Sequence, residues 1–75
     1  MLNTLAELLA DIFDVEEREI VPETDLYEDL YADEMDMVEI FMNLEELFDI
    51  QTSPKDSKKI VTVTDLLNYI QEKQS

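Results

Sequence analysis

Leu2, Leu5, Leu8, Leu9, Ile12 and Phe13 recur at helical spacing, and this periodicity constrains the fold more than any other feature of the chain. It predicts a first amphipathic helix over about residues 2–13. Asp14 follows where many helices place a left-handed glycine, a conformation that Asp tolerates better than most residues. Residues 14–33 form a long connection, with Val15 and Ile20 as core plugs and Pro22 and Thr24 marking turn chemistry. Thr24 is expected to cap a short turn that carries Leu26, Tyr27 and Leu30, because a loop this long in a small domain needs internal structure.

The periodicity resumes from about Met35 to Phe48. Asp33 is placed to cap this second helix, with Asp36 at its third position in a loose variant of the capping box. Met37, Phe41, Leu44 and Phe48 share one side, extended by Ile40 and Leu47, and these six are expected in the core. Ser53-Pro54 interrupts the pattern, and residues 54–59 have room for one helical turn or two. Thr62-Val63-Thr64-Asp65 announces a last helix that packs Val63, Leu66, Leu67 and Ile70 inward. The expectation is a single all-α domain over residues 1–75, a small four-helix bundle of three main helices plus a short third one.

Charge and missing residue types exclude several functions. Twenty acidic residues against five basic ones give a net charge of −15. Such a surface repels nucleic acid and anionic membranes, speeds encounter with basic partners, and destabilises the compact state by self-repulsion. Without Cys or His there is no thiolate, disulfide or imidazole chemistry. Without Gly there is no phosphate-cradling loop and no EF-hand turn, so no metal site is expected at Asp29, Asp33, Glu34, Asp36 and Glu39 beyond weak surface binding of divalent cations. No apolar run spans a membrane and the N-terminus lacks the basic start of a signal peptide, which makes a cytoplasmic protein the simplest expectation. A chain this short buries only about 60% of its unfolded surface, too little for a deep catalytic cleft, and no enzyme activity is expected.

Glu28-Asp29-Leu30, followed by Ala32-Asp33-Glu34-Met35, resembles the prosthetic-group segment of acyl carrier proteins, where Asp-Ser-Leu supplies a serine for the phosphopantetheine arm. The likeness continues without a gap through Val38-Glu39, Leu44-Glu45-Glu46, Phe48-Asp49, Ile60, Thr62-Val63 and Tyr69-Ile70. It implies the fold expected above, with the second helix as the main enzyme-docking element. Three departures count. Glu34 stands at the serine position, so no cofactor is expected, whereas phosphopantetheine would be if position 34 were Ser. Tyr31 stands where the family usually has Gly. Lys55, Lys58 and Lys59 make the third segment basic, and they are expected to form a solvated face that pairs with nearby acids. No nearby serine is expected to substitute, because Ser53, Ser57 and Ser75 lie far from the start of the second helix and lack the Asp-Ser-Leu context. Tyr27 and Tyr31 are expected to cover the entrance of the bundle.

Met35, Val38 and Met42 fall nearly opposite the core side of the second helix, flanked by Glu39, Glu45, Glu46 and Asp49. A solvent-facing apolar strip rimmed by carboxylates suits a basic partner with an apolar groove. The expected contact residues are therefore Asp33, Glu34, Met35, Asp36, Val38, Glu39, Met42, Glu45 and Glu46. The bland reading is ordinary surface exposure of apolar residues. Glu34 likewise has two readings. It stabilises the helix N-terminus by about 0.3–1 kcal/mol, or its charge stands in for the arm's phosphodiester.

The function expected is a monomeric carrier-like module without an arm, docking on basic surfaces of carrier-dependent biosynthetic or regulatory enzymes in acyl, lipid, polyketide or peptide synthesis. One alternative is a true acyl carrier protein whose attachment serine is substituted in this copy. Another is an acidic decoy of nucleic-acid-binding proteins.

Overall fold

Helix α1 spans Leu2–Phe13, α2 Glu34–Phe48 and α3 Val63–Gln74 in the computed structural model, which describes residues 1–74. The expectation for Ser75 lies outside the described residues. Two short 3₁₀ helices complete the order, Glu17–Glu19 in the first connection and Pro54–Lys59 before α3. The expected short third helix is thus present in the tighter 3₁₀ form. Pro54 opens it, where a missing N–H costs nothing. Among the described residues no strand is present, only an isolated bridge between Asp25 and Thr62.

The helices begin and end where local chemistry directs. Asp14 closes α1 in the left-handed conformation, as expected, and Asp49 closes α2 in the same way. At the start of α2 the Asp36 N–H donates to Asp33 Oδ1 at 2.8 Å, and the Asp33 N–H donates to Asp36 Oδ2 at 3.1 Å. This reciprocal capping box satisfies two N–H groups that the helix leaves open. Asp65 and Thr62 form a similar exchange at the start of α3. The Thr62 N–H donates to Asp65 Oδ2 and the Asp65 N–H donates to Thr62 Oγ1.

Leu5, Leu9, Leu26, Ile40, Leu44, Val63, Leu66 and Ile70 form the fully buried centre. Ile20 is buried as a plug of the long connection, and Val15 packs partly buried against the core. Two expectations need correction. Leu47 is 50% exposed, because it sits at the edge of the apolar side of α2 with nothing packed over it. The turn carrying Leu26 and Tyr27 is held by Asp25, whose Oδ1 accepts from the Tyr27 and Glu28 N–H groups at 2.8 Å each. Thr24 is buried instead, its Oγ1 accepting from the Val21 N–H at 3.0 Å.

The connection is also stitched to the start of α3. The Leu26 N–H donates to the Val61 carbonyl at 2.8 Å, the Val63 N–H to the Thr24 carbonyl at 3.0 Å, and Thr64 Oγ1 to the Pro22 carbonyl at 2.8 Å. These bonds fix the backbone that leads into α2, and so position everything at its N-terminus.

Candidate functional site

Glu34 is the first residue of α2 and its side chain is exposed. The backbone before it is tightly specified. Leu30 donates its N–H to the Asp25 carbonyl at 3.3 Å, and Ala32 donates to the Leu26 carbonyl at 2.9 Å. Both side chains pack partly buried on the core. The residue between them must reverse the chain, and Tyr31 does so at φ 59°, in the left-handed region. A Cβ makes that conformation costly, which is why glycine is the residue suited to such a position. Tyr31 is 82% exposed and makes no side-chain hydrogen bond or ring contact with another described residue. It does not cover the bundle entrance, because its backbone conformation and lack of contacts leave the ring in solvent.

Tyr27 is less exposed, and its hydroxyl reaches the Ser57 carbonyl at 3.4 Å. It therefore bridges the connection to the 3₁₀ helix Pro54–Lys59 and covers part of that side.

Of the contact residues predicted from sequence, Asp33, Glu34, Met35, Val38, Glu39, Met42, Glu45 and Glu46 are exposed and Asp36 is half-buried by its capping role. The structure divides the apolar strip. Met35, 78% exposed, stands in solvent at the helix entrance. Val38 and Met42, 49% and 63% exposed, form a wall of a groove between α2 and the 3₁₀ helix. Buried Met37 and Phe41 also line it, with Glu34, Glu45, Thr52, Pro54 and Ser57 completing the lining of a volume of about 200 Å³.

Sequence reasoning assigned Met37 and Phe41 to the core alone and had no signal for the opposite wall, which depends on how residues 52–57 return across α2. Ser57 also needs correction. It is distant in sequence but lines the same groove as Glu34, because the 3₁₀ helix folds back beside α2. Its Oγ donates to the Pro54 carbonyl at 2.9 Å.

Glu45 has an internal partner. Its Oε2 accepts from the Thr52 N–H at 2.9 Å and from Thr52 Oγ1 at 3.0 Å. These bonds, the backbone one first, hold its carboxyl below the usual glutamate range. Asp65 is lowered in the same way by the Thr62 and Val61 N–H groups.

On the far side of the 3₁₀ helix, Tyr69 donates its hydroxyl hydrogen to Asp56 Oδ2 at 2.7 Å and lies near the Ser53 N–H at 3.4 Å. Its ring stacks on Phe41 at 5.3 Å and 12°. Burial first, then the bond to Asp56, push this phenol up to about 12. Lys73 lies 3.9 Å from the same Asp56 oxygen and 5.4 Å from the Tyr69 ring centre. Tyr69 thus ties α3 both to the groove floor and to the segment that forms its opposite wall. Lys55, Lys58 and Lys59 are exposed, as a solvated face requires, but the added expectation of pairing is not met, since none of them forms an ion pair with a described residue.

Among the described residues no group of three or more acids is gathered closely enough to hold a metal ion, and no helix is long and apolar enough to cross a membrane.

Comparison with known proteins places this geometry in context. The family model of the phosphopantetheine attachment site matches residues 3–70, a span that includes Glu34. An acyl carrier protein of Rubrobacter xylanophilus is 39% identical over 75 residues, covering 100% of this chain and 93% of the relative. The solved structure of an acyl carrier protein from Enterococcus faecalis, studied for its high thermal stability, superposes with a TM-score of 0.79 at 29% identity. That match covers 96% of this chain and 91% of the other.

Proposed function

This chain belongs to the acyl carrier protein family, and from that premise we propose that it acts as a carrier-like docking module bearing no phosphopantetheine arm. The observation that carries this reading is Glu34, exposed at the first position of α2. A serine hydroxyl there would form a stable phosphodiester. A carboxylate joined to phosphate would be a mixed anhydride, which water cleaves. The carboxylate also suits the helix N-terminus, so its presence leaves the fold undisturbed.

Docking rests on the outer surface of α2. Val38 and Met42 offer apolar contact, while Glu34, Glu39 and Glu46 surround them with negative charge. The partners are basic surfaces of enzymes that use carriers in acyl, lipid, polyketide or peptide synthesis, met as a monomer in the cytoplasm. The chain supplies binding and performs no catalysis itself.

Incubation with a phosphopantetheinyl transferase and coenzyme A is expected to leave the intact mass unchanged, while Glu34→Ser gains the mass of the arm. An arm on the unaltered chain overturns the proposal. The groove supports a second reading, in which serine has been replaced in a true carrier, because a tethered apolar chain would need such a space beside its attachment point. That reading expects Glu34→Ser, once loaded, to accept an acyl group from an acyl-transferring enzyme. A loaded but unreactive variant would favour the docking module.

A further inference from the structure

We infer that Tyr31 is an anchor residue whose ring enters an apolar pocket rimmed by Lys or Arg on a carrier-dependent enzyme. The inference rests on the docking function proposed above and adds to it a contact outside α2.

The first observation is a conformational cost without an internal return. Tyr31 holds a left-handed backbone that a residue with a Cβ adopts unwillingly, yet its side chain is exposed and bonded to no described residue. Asp14 and Asp49, the other two left-handed positions among the described residues, carry a residue type suited to that region. Strained backbone concentrates at functional sites, where binding offsets the cost.

The second is orientation. Hydrogen bonds from Leu30 and Ala32 fix the backbone on both sides of Tyr31, so the ring projects from a rigid turn. A rigid aromatic with few rotatable bonds loses little entropy on binding, and tyrosine is among the residues that dominate interface energies. Met35, similarly bare, stands just inside α2 and broadens the apolar contact.

The third is charge. Asp25, Glu28, Asp29, Asp33, Glu34 and Asp36 surround Tyr31 in sequence, with no basic residue between positions 25 and 36. Such an environment matches an apolar pocket with a cationic rim and repels an acidic or phosphate-rich surface.

The test uses a phosphopantetheinyl transferase as probe, with the Glu34→Ser variant as its loadable substrate. The unmodifiable chain is added as a competitor, and its inhibition constant is measured for wild type, Tyr31→Phe, Tyr31→Asn and Met42→Glu. Thermal melting of each variant is recorded alongside. Asn tolerates the left-handed region but lacks the ring, so its melting temperature should be unchanged or higher.

The expected result is that Tyr31→Phe competes within about twofold of wild type while Tyr31→Asn weakens roughly tenfold or more. Met42→Glu should weaken as well. If Tyr31→Asn competes like wild type while Met42→Glu does not, the anchor is refuted and the docking reading stands. Equal weakening by Phe and Asn overturns the ring contact in favour of the hydroxyl. If wild type fails to compete at all, docking falls and the anchor falls with it.

Discussion

The two ends of the groove side of α2 are held in opposite ways. Toward its C-terminal half, Phe41 stacks on Tyr69, Tyr69 bonds Asp56, and Glu45 clamps Thr52. Polar groups here find partners inside the protein. At the entrance, Tyr31, Glu34 and Met35 face solvent, and the backbone at Tyr31 is unfavourable for its residue type. A small domain with modest core area cannot leave many groups unsatisfied. The contrast therefore separates the part that holds the fold from the part free to meet a partner.

The strongest way to break this comparison is to remove the partnered end. Tyr69→Ala deletes the stack on Phe41, the bond to Asp56 and much buried surface. Loss of about 3–5 kcal/mol is expected from urea unfolding, a large share of the stability of so small a domain. A loss below about 1 kcal/mol would mean that the latch contributes little beyond what its neighbours supply.

A milder probe uses pH. The folded-state pKa of Tyr69 is raised to about 12 from its ordinary 10, so its contribution is fully present below pH 10 and is lost as pH rises toward 12. Wild type should lose about 2–3 kcal/mol across that window. Tyr69→Phe should begin less stable by about 1–3 kcal/mol for the missing hydrogen bonds and then decline less steeply. Parallel alkaline profiles for the two proteins would show that the phenol does not govern the transition. At the acid limb the sign reverses. Glu45 and Asp65 have lowered pKa values, so their contribution is present above their ordinary values and disappears as pH falls through the lowered ones.

Sequence periodicity made much of this architecture legible, because the determining interactions are local. The bounds of α1, the left-handed Asp14, the Asp33–Asp36 capping box and the core positions Met37, Ile40, Phe41 and Leu44 all follow from residues within a few positions of one another. Asp25 was also open to reading, since Asp often accepts from N–H groups two and three residues ahead. Leu47 was not, because a residue at the edge of an apolar stripe is buried only if a neighbour happens to cover it. Nor were the bonds that build the groove. Tyr69 meets Asp56 and Ser53 across separations of 13 and 16 residues, and no local pattern encodes that meeting. The resemblance pointed to Glu34 and Tyr31 as departures, but only the backbone revealed that Tyr31 occupies a left-handed position.

At the entrance itself, cap and attachment position can be separated. Asp33→Ala removes one half of the capping box and should cost about 0.5–2 kcal/mol. Glu34→Gln removes only a charge near the helix N-terminus and should cost about 0.3–1 kcal/mol at low salt, shrinking as salt screens it. Chemical unfolding at two ionic strengths measures both. If Glu34→Gln proves the costlier change, Glu34 has a structural duty that its exposed position does not suggest.

The smallest expected effects test the left-handed residues against each other. At Tyr31, glycine removes a strain of about 1–2 kcal/mol but adds about 0.5–1 kcal/mol of backbone entropy to be lost on folding, leaving a gain of up to about 1.5 kcal/mol. At Asp49 the strain is smaller from the outset, because Asp accommodates this region, so glycine should change stability by less than about 0.5 kcal/mol. Melting of Tyr31→Gly and Asp49→Gly side by side makes the difference visible even where each shift is modest. A rise confined to Tyr31→Gly would mark Tyr31 as the position where this fold gives up stability that glycine would restore. Equal shifts would mean that tyrosine is as comfortable there as aspartate is at a helix end, and strain could no longer distinguish the entrance of α2 from its C-terminal half.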